Sequence, residues 1–306
     1  MSSWEGKTRG GVTGYKIFIL TIRYLGIPFA YFLLRLVIIY FIFNSGKAYK
    51  AMFRYFRRIL HYSYARSCIS MFRNYYIFGQ ILIDKLAMLA GFQHRFTFDF
   101  EGEEYLRQMD KGGLLISAHM GNWEIAGNLL NRLNKRVHII LFDAEHQQIK
   151  GFLEETMKER NVHFIVIRED YSHLKEIEQA FAHGDIIAIT GDRFIEGNKT
   201  ITVDFMGFPT RFPVGPVALA SRFNIPVSYV FAVKETRTHY HFYATPLSRI
   251  EFSRNLRHRE EILGAAVRSF VGKMEEILKK YPLQWFNYYD FWEQEPATLT
   301  RTSRHG

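Results

Sequence analysis

Between Gly6 and Ile83 the chain carries no aspartate or glutamate, yet it holds twelve lysines and arginines. A stretch with one sign of charge cannot make the mixed-charge surface of an ordinary soluble domain, so it is built to meet something anionic, apolar or both. Taking that +12 from the net +10 of the 306-residue chain leaves about −2 for everything else. The basic character therefore belongs to the first quarter, and the remainder has the balance of a soluble enzyme.

Within that quarter Gly26 to Ser45 reads GIPFAYFLLRLVIIYFIFNS, with Arg35 as its only charge. Its length is close to the ~20 residues a bilayer core demands. The run is expected to be retained rather than cleaved. It is long for a secretory signal, Leu20 to Tyr24 extend it upstream, and Phe43-Asn44-Ser45-Gly46 is a poor cleavage site. Arg35 would be costly at a bilayer centre and Pro28 disturbs the start of a helix, so a tilted or half-buried anchor and a clean span both satisfy the pattern. A buried helix of a soluble core satisfies it less well, because no polar face runs along these positions.

Basic residues from Lys47 to Arg73 then interleave with aromatic ones from Tyr49 to Tyr76. Rings at the interface and cations against phosphate suit the anionic headgroup layer, so residues 16–76 are expected to lie on the cytoplasmic face of a membrane. Nucleic acid could use the same mixture, since arginines neutralise phosphates and tyrosines stack on bases. The neighbouring apolar segment argues for lipid, and no nucleic acid is expected.

The single cysteine, Cys68, permits no internal disulfide and no cysteine-rich metal cluster, while an apolar share of 48% excludes general disorder. Beyond Gly91 short β-rich runs alternate with helical ones. Phe96–Phe100, Leu114–Ser117, Val137–Phe142, His163–Ile167 and Ile186–Thr190 are strand-like, and Thr200–Met206, Val227–Val233 and Tyr240–Thr245 continue the series. Helical patterns occupy Asn122–Leu133, His146–Arg160, Tyr171–Ala182, Val214–Arg222 and Arg257–Lys280, and Gly6–Gly14 and Ala297–Gly306 read as loose ends. The prediction is an α/β fold: a mostly parallel central sheet flanked by helices over residues 91–306, preceded by a membrane-associated helical arm over residues 1–90.

Chemistry concentrates where the apolar run Leu114-Leu115-Ile116 gives way to His119-Met120-Gly121-Asn122-Trp123-Glu124. On one regular helix His119 and Glu124 would sit about 140° apart, so they converge only across a turn. Gly121 permits the turn and Asn122 is a favourable N-cap. Glu124 would then steady one imidazole nitrogen while the other draws a proton from a hydroxyl. A core histidine followed by a carboxylate at a helix start would look the same. No GxSxG elbow surrounds any serine and Cys68 lies in the basic arm, so direct attack within a ternary complex is expected rather than a covalent intermediate. HEXXH is absent and no metal is expected.

Ser117-Ala118-His119-Met120-Gly121-Asn122-Trp123-Glu124 resembles the HX4E block of the bacterial lipid A late acyltransferases, a branch of the lysophospholipid acyltransferase superfamily. Gly191-Asp192-Arg193, Val203 to Thr210, Val214 to Ala220 and Tyr281-Pro282-Leu283-Gln284-Trp285-Phe286 resemble later blocks of the same branch, in order. Leu283 departs from the usual glutamate and Asp192-Arg193-Phe194 from the usual aspartate-glycine pattern, which bears on the acceptor more than on the reaction. The resemblance implies His119 as base and Glu124 as its partner. It implies Arg193 as a cation for phosphate or oxyanion charge, and Asp192 as a residue that orients Arg193 or binds polar groups of the acceptor. Asn122 and Gly207 join these two as substrate-side residues, Gly207 in a loop that a plain hairpin would explain equally.

It further implies an O-acyltransferase of the inner membrane, its catalytic domain on the cytoplasmic face. The enzyme would take a fatty acyl chain from acyl carrier protein, a donor substrate needing no separate cofactor, and place it on a 3-hydroxyacyl chain of a lipid A precursor. The basic arm suits the acidic carrier protein as well as headgroups. A lysophospholipid or a hydroxyacylated amino-acid lipid is an alternative acceptor, and a non-catalytic membrane-surface or nucleic-acid-binding protein an alternative of another class.

Overall fold

The computed structural model describes residues 12–44, 46–122, 135–142, 162–168, 170, 172–195 and 197–292. The expected helices Asn122–Leu133 and His146–Arg160 lie almost wholly outside these residues, as does the C-terminal end from Ala297. The apolar N-terminal run is divided between α1 (Val12–Leu25) and α2 (Ile27–Asn44), followed by α3 (Gly46–Arg54), a π turn at Tyr55–Ile59 and the long α4 (Tyr64–Leu89). α1 begins inside the stretch expected to be loose. Ser63 caps α4 by accepting a hydrogen bond from the Arg66 amide, satisfying one of the donors a helix start leaves open.

α2 explains its own lack of a polar face. Ile27, Ala30, Tyr31, Leu34 and Ile38 recur at helical spacing and are buried in a cluster with Tyr75, Ile81 and Ile83 of α4. The opposite face is also apolar but bare, running from Phe29, 40% exposed, to Tyr40, 65% exposed. Among the described residues no single helix is long and apolar enough to cross a membrane; Ile27–Ile42 and Gly46–Ile59 pass by length and composition only as a pair bent by 97°.

The α/β part is built on an eight-stranded sheet. Its strands are β1 (Thr97–Glu101), β2 (Gly113–Ser117), β3 (Val137–Phe142), β4 (Val162–Ile167), β5 (Ile186–Thr190), β8 (Pro226–Lys234), β9 (His239–Ala244) and β10 (Ser248–Arg249). The order is β1-β9-β8-β2-β5-β3-β4, with β10 added to β8. Every pairing is parallel except β8 with β9 and with β10. β2 is buried at every position, as a central strand covered on both faces must be. β6 (Thr200–Phe205) and β7 (Phe208–Pro213) form a separate hairpin. Helices α5 (Glu103–Arg107), α6 (His173–Ala182), α7 (Gly215–Phe223) and α8 (Leu256–Lys280), with a 3-10 turn at Phe92–Arg95, complete the described elements. The fold is α/β with a mostly parallel central sheet flanked by helices.

The arm shares the core of the sheet. Met52, Tyr55, Phe56 and Met71 join one cluster with Leu114, Ile116, Phe231 and Phe270, while α2 and α4 pack against β9 at Tyr240 and Phe242. A buried polar knot pins this second contact. Asp84 of α4, 0% exposed, accepts hydrogen bonds from the Tyr31 and Tyr240 hydroxyls and from the Lys234 ammonium. Lys234 also donates to the Arg237 carbonyl at 2.6 Å. Burial pushes the Asp84 carboxyl up and the Lys234 ammonium down, and their mutual attraction opposes both shifts. Removing one partner leaves the other charge buried alone, which costs about 3–5 kcal/mol. Asp84→Asn should lower stability by that amount in urea melts, and adding Lys234→Met to it should recover a large part of the loss.

Candidate active site

β2 and β5 run side by side in parallel, with Ile116 opposite Ile189 and Ser117 opposite Thr190. The strands end level, so the residues two places beyond each end emerge together: His119 beyond Ser117, Asp192 beyond Thr190. The Gly191 amide ties the two ends by donating to the Ser117 carbonyl at 2.8 Å. His119 Nδ1 then lies 2.8 Å from Asp192 Oδ1, and the His119 amide donates to Asp192 Oδ2 at 3.0 Å.

Asp192 is 0% exposed. Burial by itself pushes its carboxyl up, but the facing His119 imidazole, the Arg193 charge and the His119 amide outweigh that and hold it at about 2. An ionised carboxylate only accepts hydrogen bonds, so His119 Nδ1 carries the proton and donates. In the neutral imidazole Nε2 is then the basic nitrogen. A base whose second nitrogen is steadied by a buried carboxylate can take a proton from a hydroxyl and hold the resulting positive charge.

The turn after His119 has no room for a side chain. Gly121 sits at φ 56°, and a Cβ there would lie 1.9 Å from the Ala232 carbonyl oxygen of β8. A strap, residues 281–292, crosses the same turn. The Gly121 amide donates to the Gln284 carbonyl at 2.8 Å and the Phe286 amide to the His119 carbonyl at 2.9 Å. Gln284 clasps the backbone of Lys234 by both ends of its side chain, at 2.8 and 2.7 Å. Trp285 Nε1 donates to Asp192 Oδ2 at 3.2 Å.

Of the residues singled out in the sequence, the fold brings His119, Asp192 and Arg193 together. Glu124 lies outside the described residues, and the carboxylate on Nδ1 is Asp192. Asp192, read as a residue that orients Arg193 or binds acceptor polar groups, has its oxygens toward His119 and Trp285. Arg193, half-buried, donates from Nη2 to the Phe286 carbonyl at 2.9 Å and lies 5.9 Å from the Tyr289 ring. Asn122, read as a substrate-side residue, is 2% exposed and lies beside the Tyr240 hydroxyl of the buried knot. Gly207 is at the exposed tip of the β6–β7 hairpin, where Met206 and Gly207 have φ of 56° and 84°, the positive pair that a tight two-residue hairpin turn requires. That turn accounts for Gly207 without an acyl chain. Trp285 and Gln284 were legible only as part of the closing motif, and Asn74, described below, carried no sequence signal. Among the described residues no group of histidine, cysteine, aspartate or glutamate is arranged to hold a metal ion.

Sheet and site together carry a histidine and a buried carboxylate on adjacent strand ends, an arrangement chemically able to draw a proton from a hydroxyl. The chain belongs to the bacterial lipid A biosynthesis acyltransferase family, whose model matches residues 15–292, arm and α/β domain alike. It is an acyltransferase of lipid substrates. The chain is also similar to the crystal structure of the 1-acyl-sn-glycerophosphate (LPA) acyltransferase, PlsC, from Thermotoga maritima, at 16% identity over 81% of this chain and 97% of that chain, with a TM-score of 0.38. No curated protein matches it.

Because a depressed carboxyl stabilises the fold only while it is ionised, Asp192 should contribute about 2 kcal/mol at neutral pH and lose it as pH falls from near 4 toward 2. Urea titrations of the native chain and Asp192→Asn should therefore converge as the pH is lowered through that window. Gly121→Ala should cost on the order of 10²-fold in turnover, since the His119 turn must shift to clear Ala232.

Proposed function

We propose that the protein transfers a fatty acyl group from acyl carrier protein to a hydroxyl of a lipid, namely that of a 3-hydroxyacyl chain on a lipid A precursor. The His119–Asp192 pair within a chain of this family carries the reading. Nε2 of His119 removes the hydroxyl proton as the oxygen attacks the thioester carbonyl, and Asp192 stabilises the imidazolium. When the tetrahedral intermediate collapses, the C–S bond breaks and the same proton goes to the departing thiolate. Arg193, one residue beyond Asp192, adds positive charge near the developing oxyanion. Glu124 stays in the proposal on the strength of the motif, as a second carboxylate serving the imidazole.

The bare apolar face of α1 and α2, with Leu20, Phe32 and Leu36 each more than half exposed, suits the acyl boundary of the inner membrane's cytoplasmic leaflet. The basic residues from Lys47 to Arg73 suit its anionic headgroups and the acidic carrier protein. No cofactor enters the reaction.

Purified protein given labelled acyl-carrier protein and a lipid A precursor should make the acylated lipid, and His119→Ala should reduce the rate by about 10²–10⁴-fold with the thermal midpoint kept. Transfer only to a lysophospholipid or a hydroxyacylated amino-acid lipid would replace the acceptor, and full activity in His119→Ala would overturn the mechanism. Glu124→Ala separates the two carboxylates: a loss like that of His119→Ala makes Glu124 part of the base, and native turnover leaves Asp192 as its sole support.

A further inference from the structure

We propose that the helical arm is part of the catalytic apparatus, with Asn74 and Trp285 as positioning residues that hold the His119–Asp192 pair in working geometry. This inference rests on the acyl-transfer reading above and adds to it a task for the arm other than meeting the membrane.

Asn74 lies in the middle of α4 and is 0% exposed. Its Nδ2 donates to the Leu283 carbonyl at 2.9 Å and to the Trp285 carbonyl at 3.1 Å, and its Oδ1 accepts from the Tyr288 hydroxyl at 3.1 Å. The whole amide is thus spent on the strap. The arm grips the strap at two further points: the Tyr55 hydroxyl of the π turn donates to the Pro282 carbonyl at 3.1 Å, and Arg54 pairs with Asp290. π turns inside α-helical runs recur at functional positions, and this one turns Tyr55 edge-on to the Trp285 ring, with centroids 5.5 Å apart.

From the strap the connection passes to both members of the dyad. The Phe286 amide holds the His119 carbonyl, the Gln284 carbonyl holds the Gly121 amide, and Trp285 Nε1 holds Asp192 Oδ2. Trp285 is itself 0% exposed, so its indole N–H stays aimed at the carboxylate by packing on every side. A shift of α4 against the sheet therefore moves the strap, and the strap moves the base and its carboxylate with it. Proton transfer is sensitive to such shifts, because the reacting atoms must sit within hydrogen-bond reach.

The test uses the full chain in lipid or detergent, with kcat, KM, the pH profile and the thermal midpoint measured for Trp285→Phe, Asn74→Ala and His119→Ala. Trp285→Phe keeps an aromatic ring and removes the donor. Without the indole donor the carboxylate is no longer held in place against the imidazole, so kcat should fall about 10-fold with KM little changed, and because Asp192 keeps more negative charge toward the imidazole the acidic limb of kcat/KM should move to higher pH. Asn74→Ala should show the same fall in kcat at unchanged KM. If both variants fold and keep native kcat with an unmoved limb, or lose only thermal stability, the two side chains merely pack and the proposal is overturned. Should Asn74→Ala fail to fold, the Trp285→Phe profile decides alone, a moved limb supporting the proposal and an unmoved one ending it. Undiminished transfer by His119→Ala would instead overturn the acyl-transfer reading, so the two failures are told apart.

Discussion

Level parallel pairing of β2 with β5 is the constraint on which the site depends. Ser117 faces Thr190 in register, and two residues further along each strand the chain delivers an imidazole and a carboxylate to within 2.8 Å. Parallel strands need a crossover of a dozen residues or more, so this meeting joins positions 73 apart in the chain. A slip of one residue would exchange the side chains between the two packed faces of β2 and separate the pair. The burial of Leu114, Leu115 and Ile116 on both faces of the sheet opposes such a slip. Catalytic geometry is thereby tied to the hydrophobic core.

Burying Asp192 would be unfavourable were its charge unmet. Three N–H groups meet it, from the His119 ring, the His119 backbone and the Trp285 indole, and against the burial that raises it the His119 ring, the Arg193 charge and the His119 amide hold the carboxyl at about 2. In the proposed reaction the ionised Asp192 accepts from Nδ1 and steadies the imidazolium until the leaving group takes the proton. The same sealing excludes water from Asp192, which keeps its attraction for the imidazole in a medium of low polarisability. Asp84 meets burial by another route, with an ammonium and two phenols around it, and there the result is attachment of the arm to β8 and β9.

Much of this fold was legible in the chain. Most strands were, as β-rich runs bounded by turn residues; the two-residue β10 was not, and neither was β7, since Pro209 and Pro213 read as turn, and a two-stranded hairpin open on its outer sides tolerates them. His119 was legible through its motif. The role of Asp192 was not, because spacing along a chain says nothing about which strand ends lie level. Nor was the half-covered state of α2: a helix that is apolar all round looks alike from sequence whether it is wrapped by protein or bare on one side. Asn74 sits among aromatic and basic neighbours that suggested a surface, and only the fold places its amide against the strap.

The arm thus joins two surfaces of opposite kind. Outward, α1 and α2 present side chains such as Leu25, 59% exposed, and Tyr40, 65% exposed, that water leaves unsatisfied. Inward, α3 and α4 contribute Met52, Tyr55 and Met71 to the core that supports β2, together with Asn74 to the strap. A peripheral anchor joined by a linker would leave the active site indifferent to where the anchor rests. Here the outward helix α2 packs directly on α4, α4 binds the strap, and the strap is bonded to His119 and Asp192, with no flexible joint among those contacts. Coupling through packed elements of this kind follows from interiors that transmit displacement rather than absorb it. Under the proposed reading the apolar acceptor is met where the outward face rests, and the contacts that fix this face also fix His119 and Asp192.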